Sequence, residues 1–333
     1  MTRTLLTGAR VFTGERILTD RAVLLDGADI VDLPHRDAPP ADARVIELPA
    51  TTLIAPGFVD AQVNGAGGVL FNDAPTTEAA LAIAAAMRPF GTTGSLPTFI
   101  TDGRDGMRAA AEAAIAAVAT PGSGVLGVHL EGPFISSKRR GCHDPASIRR
   151  PDAADVDMLV DLARRLAAVG GRMLLTLAPE EVEDATIARL ATAGIVVSAG
   201  HTAASYERIA TAVDHGLTGF THLGNAMPPI VNRDPGPVVA GLDAATAWCG
   251  VIVDGIHVHP ALLRVMHAAK RQGRLFVVTD AMPPTGTTLD GFRLYGETIL
   301  RRDGRLTTAD GTLAGADVDM ATSLRNLLRF LPV

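Results

Sequence analysis

The chain of 333 residues carries 36 acidic against 30 basic side chains, a net charge of −6, and only 4% of it is aromatic. With no basic face in the sequence, nucleic acid is not expected as a partner. Hydrophobic residues make up 47%, yet no uninterrupted apolar run approaches the ~20 residues that cross a bilayer, so no membrane association is expected either. Two cysteines, Cys142 and Cys249, are too few for a disulfide framework. Together with an N-terminus that lacks a signal-peptide core, they point to a reducing cytoplasm.

Residues 1–50 read as a small β domain. Short β-segments at 5–7, 10–12, 22–25, 29–32 and 45–48 are punctuated by Thr13-Gly14 and Asp26-Gly27. From 51 to 333 the pattern changes to apolar runs alternating with helix-length stretches. The runs are 53–59, 94–96, 125–128, 173–177, 195–199, 219–220, 251–253 and 275–279, and helices are expected at 76–88, 104–119, 153–169, 185–193, 203–216, 260–272 and 319–329. Gly194, Gly216 and Gly273 fall where helix C-caps would place them. Residues 292–313 alternate around Gly296 and Asp303-Gly304, which reads as a hairpin insertion. The fold class is therefore α/β: a (β/α)8 TIM-like barrel with a small β-sandwich domain built from the N-terminal segment.

Each of the eight runs ends in polar residues, and a parallel barrel gathers its strand C-termini on one rim. His129 and Glu131 share a face by the two-residue period, and Gly132-Pro133 turns the chain away beyond them. His201 and His222 end two later runs. One carboxylate with two imidazoles suits a catalytic divalent metal that keeps an open position for water. Asp280 closes the eighth run as a spare carboxylate, able to take a proton from water and return it to a leaving group. That arrangement indicates a hydrolase. Asn225, Arg233, His257 and His143 lie in loops at the same rim, where a barrel selects its substrate. Arg233 reads either as an anion contact or as a solvated surface residue. His35, His215 and His267 lie off the rim, and His259 is undecided.

The segments Pro56–Gly65, His129-Leu130-Glu131-Gly132-Pro133-Phe134, Gly200-His201-Thr202-Ala203, Thr221–Met227, Asp254–His257, Val278–Ala281 and Gly311-Thr312-Leu313-Ala314-Gly315 together resemble the N-acetylglucosamine-6-phosphate deacetylases of the amidohydrolase superfamily. The resemblance implies that Glu131, His201 and His222 bind one divalent metal ion per subunit, Zn²⁺ or alternatively Fe²⁺. It implies Asp280 as general base and acid and His143 as a catalytic contact to the acetamide. It further implies that the backbone around Asn225 and Ala226, with Arg233, His257 and Leu313, holds an amino-sugar phosphate. Members can supply the phosphate-binding arginine from a neighbouring subunit, so a homodimer is implied. The expected products are D-glucosamine 6-phosphate and acetate. Alternatives are N-acetylgalactosamine 6-phosphate as substrate, another cyclic amide, or a non-catalytic sugar-phosphate binder.

Two departures stand out. Most of the superfamily carries His-x-His after the first strand, where this chain has Gln62 and Asn64; carboxamides are poor zinc ligands, so a second metal is not expected. The family also runs on for several dozen residues past this point, and the C-terminal segment is expected to be truncated, leaving an edge of the small sheet domain uncovered.

Overall fold

Alternating apolar positions at the start of the chain and continuous apolar runs later on produce two different kinds of sheet. The computed structural model describes residues 3–271 and 274–331, and the chain divides into two units, one ending at Gly57 and one beginning at Phe58. The first holds two small sheets. One has four strands, Asp29–Asp32, Val23–Asp26, Arg3–Thr7 and Ala43–Glu47 in spatial order; the other has three, Ile17–Leu18, Arg10–Phe12 and Leu53–Ile54. Leu5, Ala22 and Leu24 form its buried centre.

The second unit is the barrel. Its eight parallel strands follow chain order around the sheet: Phe58–Val63, Thr92–Ile100, Gly127–Glu131, Arg172–Leu177, Val196–Ala199, Leu217–Phe220, Trp248–Ile252 and Arg274–Val278. The first and eighth meet at their C-terminal ends, where Val63 bridges Ala281 and the Asp280 amide donates to the Gln62 carbonyl at 2.9 Å. Helices α1 (Thr77–Met87), α2 (Arg104–Val118), α3 (Ala153–Ala168), α4 (Asp184–Thr192), α5 (Tyr206–Asp214), α6 (Gly236–Asp243), α7 (Pro260–Ala269) and α8 (Met320–Phe330) fill the connections. None is long and apolar enough to cross a membrane.

Helix α3 shows how local signals and packing combine. Asp152 and Asp155 form a reciprocal capping box at its start, and Leu159, Leu162 and Leu166 are buried one turn apart. Each buried leucine contributes about 1.5–3 kcal/mol.

Three expectations needed revision. The 53–59 run is two strands: Pro56-Gly57 interrupts it, Leu53–Ile54 pairs with Arg10–Phe12 in the small unit, and the barrel strand begins at Phe58. Helix α5 starts at Tyr206, capped by Ser205, because Glu180 holds the preceding turn by accepting from the Thr202 hydroxyl (2.5 Å) and the Ala203 amide (2.6 Å). Helix α6 was not anticipated. The expected cap at Gly273 and the helix end at Gln272 lie outside the described residues. The hairpin expectation stands: Gly291–Leu294, Glu297–Arg302, Arg305–Thr307 and Leu313–Ala316 form an antiparallel meander. Its turns at Tyr295-Gly296 and Asp303-Gly304 have positive φ at both central residues, the tight-turn geometry that matches strand twist. Leu294, Ile299 and Leu306 pack with Leu70, Ile100 and Met282, setting the meander beside the rim.

Candidate active site

Glu131 is the last residue of the third strand and is 2% exposed. The chain must leave the strand at once, and Gly132 permits it: φ is 88°, and a Cβ there would lie 2.1 Å from Thr101 Oγ1. Glu131 Oε1 lies 3.2 Å from His201 Nε2 and 2.8 Å from His222 Nε2, and the two imidazole nitrogens are 3.1 Å apart. Both histidines follow strand ends with positive φ, 47° and 32°, as do Asp280 at 54° and Ala226 at 49°. Non-glycine residues held there cost of order 1–3 kcal/mol each and tend to cluster at functional sites.

Tautomers sharpen the picture. His201 Nδ1 lies 2.9 Å from the Arg139 carbonyl, so that nitrogen carries the proton and Nε2 presents a lone pair. A lone pair, a carboxylate oxygen and a second imidazole nitrogen then converge with at most one proton among them. Metal–ligand bonds of about 2.0–2.1 Å in a tetrahedral site put ligand atoms roughly 3.3 Å apart, close to the separations observed. The donor set fits a divalent cation. Burial opposes ionisation of Glu131, but the imidazoles of His201 and His222 beside it hold its carboxyl well below the usual range. His143 also belongs to this cluster, since Glu131, His143 and His201 present ligand atoms within 4.8 Å of one another. The imidazole of His143 lies against His201 with centroids 4.2 Å apart and the rings tilted by 52°. Its Nδ1 is 2.7 Å from Thr101 Oγ1, whereas the Glu131 carbonyl lies farther from that hydroxyl, at 3.2 Å. The hydroxyl donates to that carbonyl and its oxygen accepts from His143 Nδ1, so both contacts are made.

Asp280 is 8% exposed, and burial with the nearby Glu131 charge pushes its carboxyl up to about 6. A strand of the meander fixes its backbone: the Ala316 amide donates to the Asp280 carbonyl at 2.8 Å, and Gly315 approaches so closely that a Cβ would lie 2.9 Å from that oxygen. This accounts physically for the glycine that ends the Gly311–Gly315 segment. Gln62 and Asn64 also reach into the site. Gln62 Nε2 donates to Glu131 and to Asp280 Oδ1 (3.1 Å), and Asn64 Nδ2 donates to Asp280 Oδ1 at 2.6 Å.

Glu131, His143, His201, His222, Asn225, Ala226, His257, Asp280 and Leu313 line one cavity of about 240 Å³. Arg233 does not. It is exposed on the loop before α6. His257 is held by Asp254, whose Oδ2 lies 2.6 Å from Nδ1 while Oδ1 accepts the Ile256 and His257 amides. His259 caps α7 through Nδ1, a structural role. The Lys138-Arg139-Arg140 run serves the site through a main-chain carbonyl, that of Arg139. Sequence reasoning missed Thr101, whose only signal was its place directly after the second strand, and the donor roles of Gln62 and Asn64.

A buried Glu/His cluster that fits a metal ion, on the C-terminal rim of a parallel barrel with a buried acid beside it, is the arrangement of a metal-dependent hydrolase. The Amidohydrolase family model matches residues 53–328, and the chain belongs to the amidohydrolase family, a metal-dependent group. It is 41% identical to an N-acetylgalactosamine-6-phosphate deacetylase of Shewanella sp. (strain ANA-3), over 86% of this chain and 71% of that one. It is 33% identical to an N-acetylglucosamine-6-phosphate deacetylase of Haemophilus influenzae, over 87% and 74%. The crystal structure of N-acetylglucosamine-6-phosphate deacetylase from Pasteurella multocida superposes with a TM-score of 0.93 at 32% identity, covering 99% of this chain and 85% of that one. An aspartate-to-alanine mutant of the Mycobacterium smegmatis enzyme, in complex with N-acetyl-D-glucosamine-6-phosphate, gives 0.89 at 33%, covering 100% and 85%.

Proposed function

We propose that this chain removes the acetyl group of N-acetyl-D-glucosamine 6-phosphate, releasing D-glucosamine 6-phosphate and acetate. The observation that carries the proposal is the single cavity that unites Glu131, His201 and His222 with Asp280, His143 and His257; the names of the relatives supply the substrate. Glu131, His201 and His222 hold one divalent cation, Zn²⁺ first and Fe²⁺ as the alternative. When bound, that ion lowers the pKa of a water and polarises the acetamide carbonyl.

The remaining work falls to side chains. Asp280 accepts the proton of the attacking water as the new C–O bond forms, and delivers it to the amine nitrogen as the C–N bond breaks. His143 lines the cavity beside the reacting carbonyl and contacts the acetamide. Asn225, Ala226, Leu313 and His257 seat the sugar, with Asp254 fixing the tautomer of His257. Arg233 lies outside the cavity and reaches the phosphate of a neighbouring subunit, which makes the working form a homodimer. The two free cysteines suit a cytoplasmic location.

A second reading has its own support. The 41% relative is named for N-acetylgalactosamine 6-phosphate, the C4 epimer. Acetate release measured side by side on the two epimers tests both. A kcat/KM ratio above about ten for the glucose-configured substrate supports the first reading and the inverse ratio the second; no release from either removes the proposal.

A further inference from the structure

The two residues standing where most of the superfamily has metal-binding histidines are both buried and both aim an amide N–H at the same atom. Asn64 is 0% exposed and Gln62 2%. Every side-chain hydrogen bond on the Asp280 carboxylate, among the described residues, arrives at Oδ1, from Asn64 Nδ2 at 2.6 Å and Gln62 Nε2 at 3.1 Å. Oδ2 is left to the cavity that Asp280 lines. Gln62 Nε2 also reaches both oxygens of Glu131, at 3.2 and 3.1 Å, so one carboxamide stands between two buried carboxylates.

The seam of the barrel holds this arrangement in place. Asp280 N donates to the Gln62 carbonyl, and the amides of Asn64 and Gly65 donate to the Ala281 carbonyl at 2.9 and 3.0 Å. Asp60, wholly buried, accepts from the Thr279 hydroxyl (2.6 Å), the Thr279 amide (3.2 Å) and the Gln62 amide (3.2 Å). It thereby ties the neighbour of Asp280 to the backbone of Gln62. A carboxylate with two donors on one oxygen cannot swing about its Cβ–Cγ bond without breaking both, and the undonated oxygen is the more basic of the pair.

We propose that Gln62 and Asn64 form a carboxamide bracket that directs proton transfer to Oδ2 of Asp280 and screens that residue from the Glu131 charge. On this view the two amides are positioning residues that act through Asp280, and the change from imidazole to carboxamide replaces metal ligation with hydrogen-bond donation. The inference rests on the deacetylase reading for its kinetic test, and a second measurement is independent of it.

The kinetic test uses the metal-loaded enzyme and near-isosteric variants that lack the N–H: Asn64→Leu, Asn64→Asp and Gln62→Met. Each is expected to lower kcat roughly 10- to 100-fold, the loss that follows removal of a hydrogen bond to a charged group. KM should stay within about twofold and metal per chain at the wild-type value. A merely structural role would show instead as lost metal or a collapsed melting temperature. Retention of more than half of kcat by Asn64→Leu and Gln62→Met at full metal content would overturn the bracket; so would loss of metal in step with activity, or a raised KM with unchanged kcat. The independent measurement is a crystal structure of the zinc-loaded wild-type protein. Both amide nitrogens within about 3.2 Å of one Asp280 oxygen support the bracket, and an amide oxygen on the metal overturns it. Wild-type protein inert toward both epimeric sugar phosphates would defeat the functional reading alone, with the crystal structure still deciding the bracket.

Discussion

Replacing Thr101 by valine keeps the shape of the side chain and removes one hydroxyl proton. Thr101 is 1% exposed, and its Oγ1 lies 2.7 Å from His143 Nδ1, itself in a ring only 3% exposed. Without the hydroxyl the Nδ1 atom faces a methyl group, and nothing fixes the tautomer or the orientation of the ring. A buried polar atom deprived of its partner costs about 1–3 kcal/mol. If that deficit falls on the step in which His143 contacts the acetamide, kcat drops roughly 5- to 150-fold. KM should change little, because the contact strengthens as charge develops. Steady-state acetate release at saturating substrate measures the effect, with metal content as the control. Thr101→Ser, which keeps the hydroxyl, should recover most of the rate. A Thr101→Val enzyme within twofold of wild type would refute the tautomer argument, and equal losses in both variants would show that packing against Gly132, not the proton, is what matters.

Asp280→Asn should fold and bind substrate, since an amide can still offer an oxygen to Gln62 and Asn64. It should lose at least 10²- to 10⁴-fold in kcat, and a variant holding a tenth of the wild-type rate would move the base elsewhere, with His143 first in line. Arg233→Ala should lower kcat/KM for the 6-phosphorylated sugar roughly 10- to 150-fold while leaving unphosphorylated N-acetylglucosamine unaffected. Mixing Arg233→Ala with Asp280→Asn chains should restore activity if the arginine crosses between subunits; losses equal on both sugars would mark it as structural. Asp155 is buried, and although burial opposes its ionisation, hydrogen bonds from Arg149 and Arg104 hold its carboxyl far below the usual range. Its contribution to stability is therefore present above the unfolded pKa of about 3.9 and lost as pH falls below it. Asp155→Asn should cost about 3 kcal/mol at pH 7 by urea denaturation, the low end for a broken buried pair because both arginines are about a third exposed. The gap between variant and wild type should shrink below pH 4, and a gap that is constant with pH would refute the assignment.

The barrel was legible because its strands are buried on both faces and read as apolar runs, each closed by a polar residue that could not stay in the core. Glu131, His201, His222 and Asp280 stood out for that reason. The split at Pro56-Gly57 was harder to see, since the apolar content continues across it while the pairing partner changes. Helix α6 was hidden by its own composition. Gly236-Pro237-Val238-Val239-Ala240-Gly241 has two glycines and no polar cap, and four of those residues besides Gly236 are buried, so neither periodicity nor capping announces a helix. The donor roles of Gln62 and Asn64 could not be read at all. They exist only once the sheet closes and brings residues 216 and 218 positions apart into contact. Tautomers were equally invisible, because Thr101 and the Arg139 carbonyl reach their imidazoles through loops whose course no local pattern fixes.

Left-handed backbone at His201, His222, Ala226 and Asp280 sets the needs of the chemistry against those of the fold. Glycine adopts that conformation freely and asparagine with little penalty, so at the two histidines and the aspartate a more comfortable residue exists that would silence the site. Selection for turnover keeps the uncomfortable ones, and most proteins hold little stability in reserve for such choices. A duplicate of this chain relieved of turnover would accordingly be expected to erode at these three positions early, growing sturdier as it lost its chemistry. Glycine or asparagine at more than one of them in a related barrel would mark a protein that has left catalysis behind while keeping its fold.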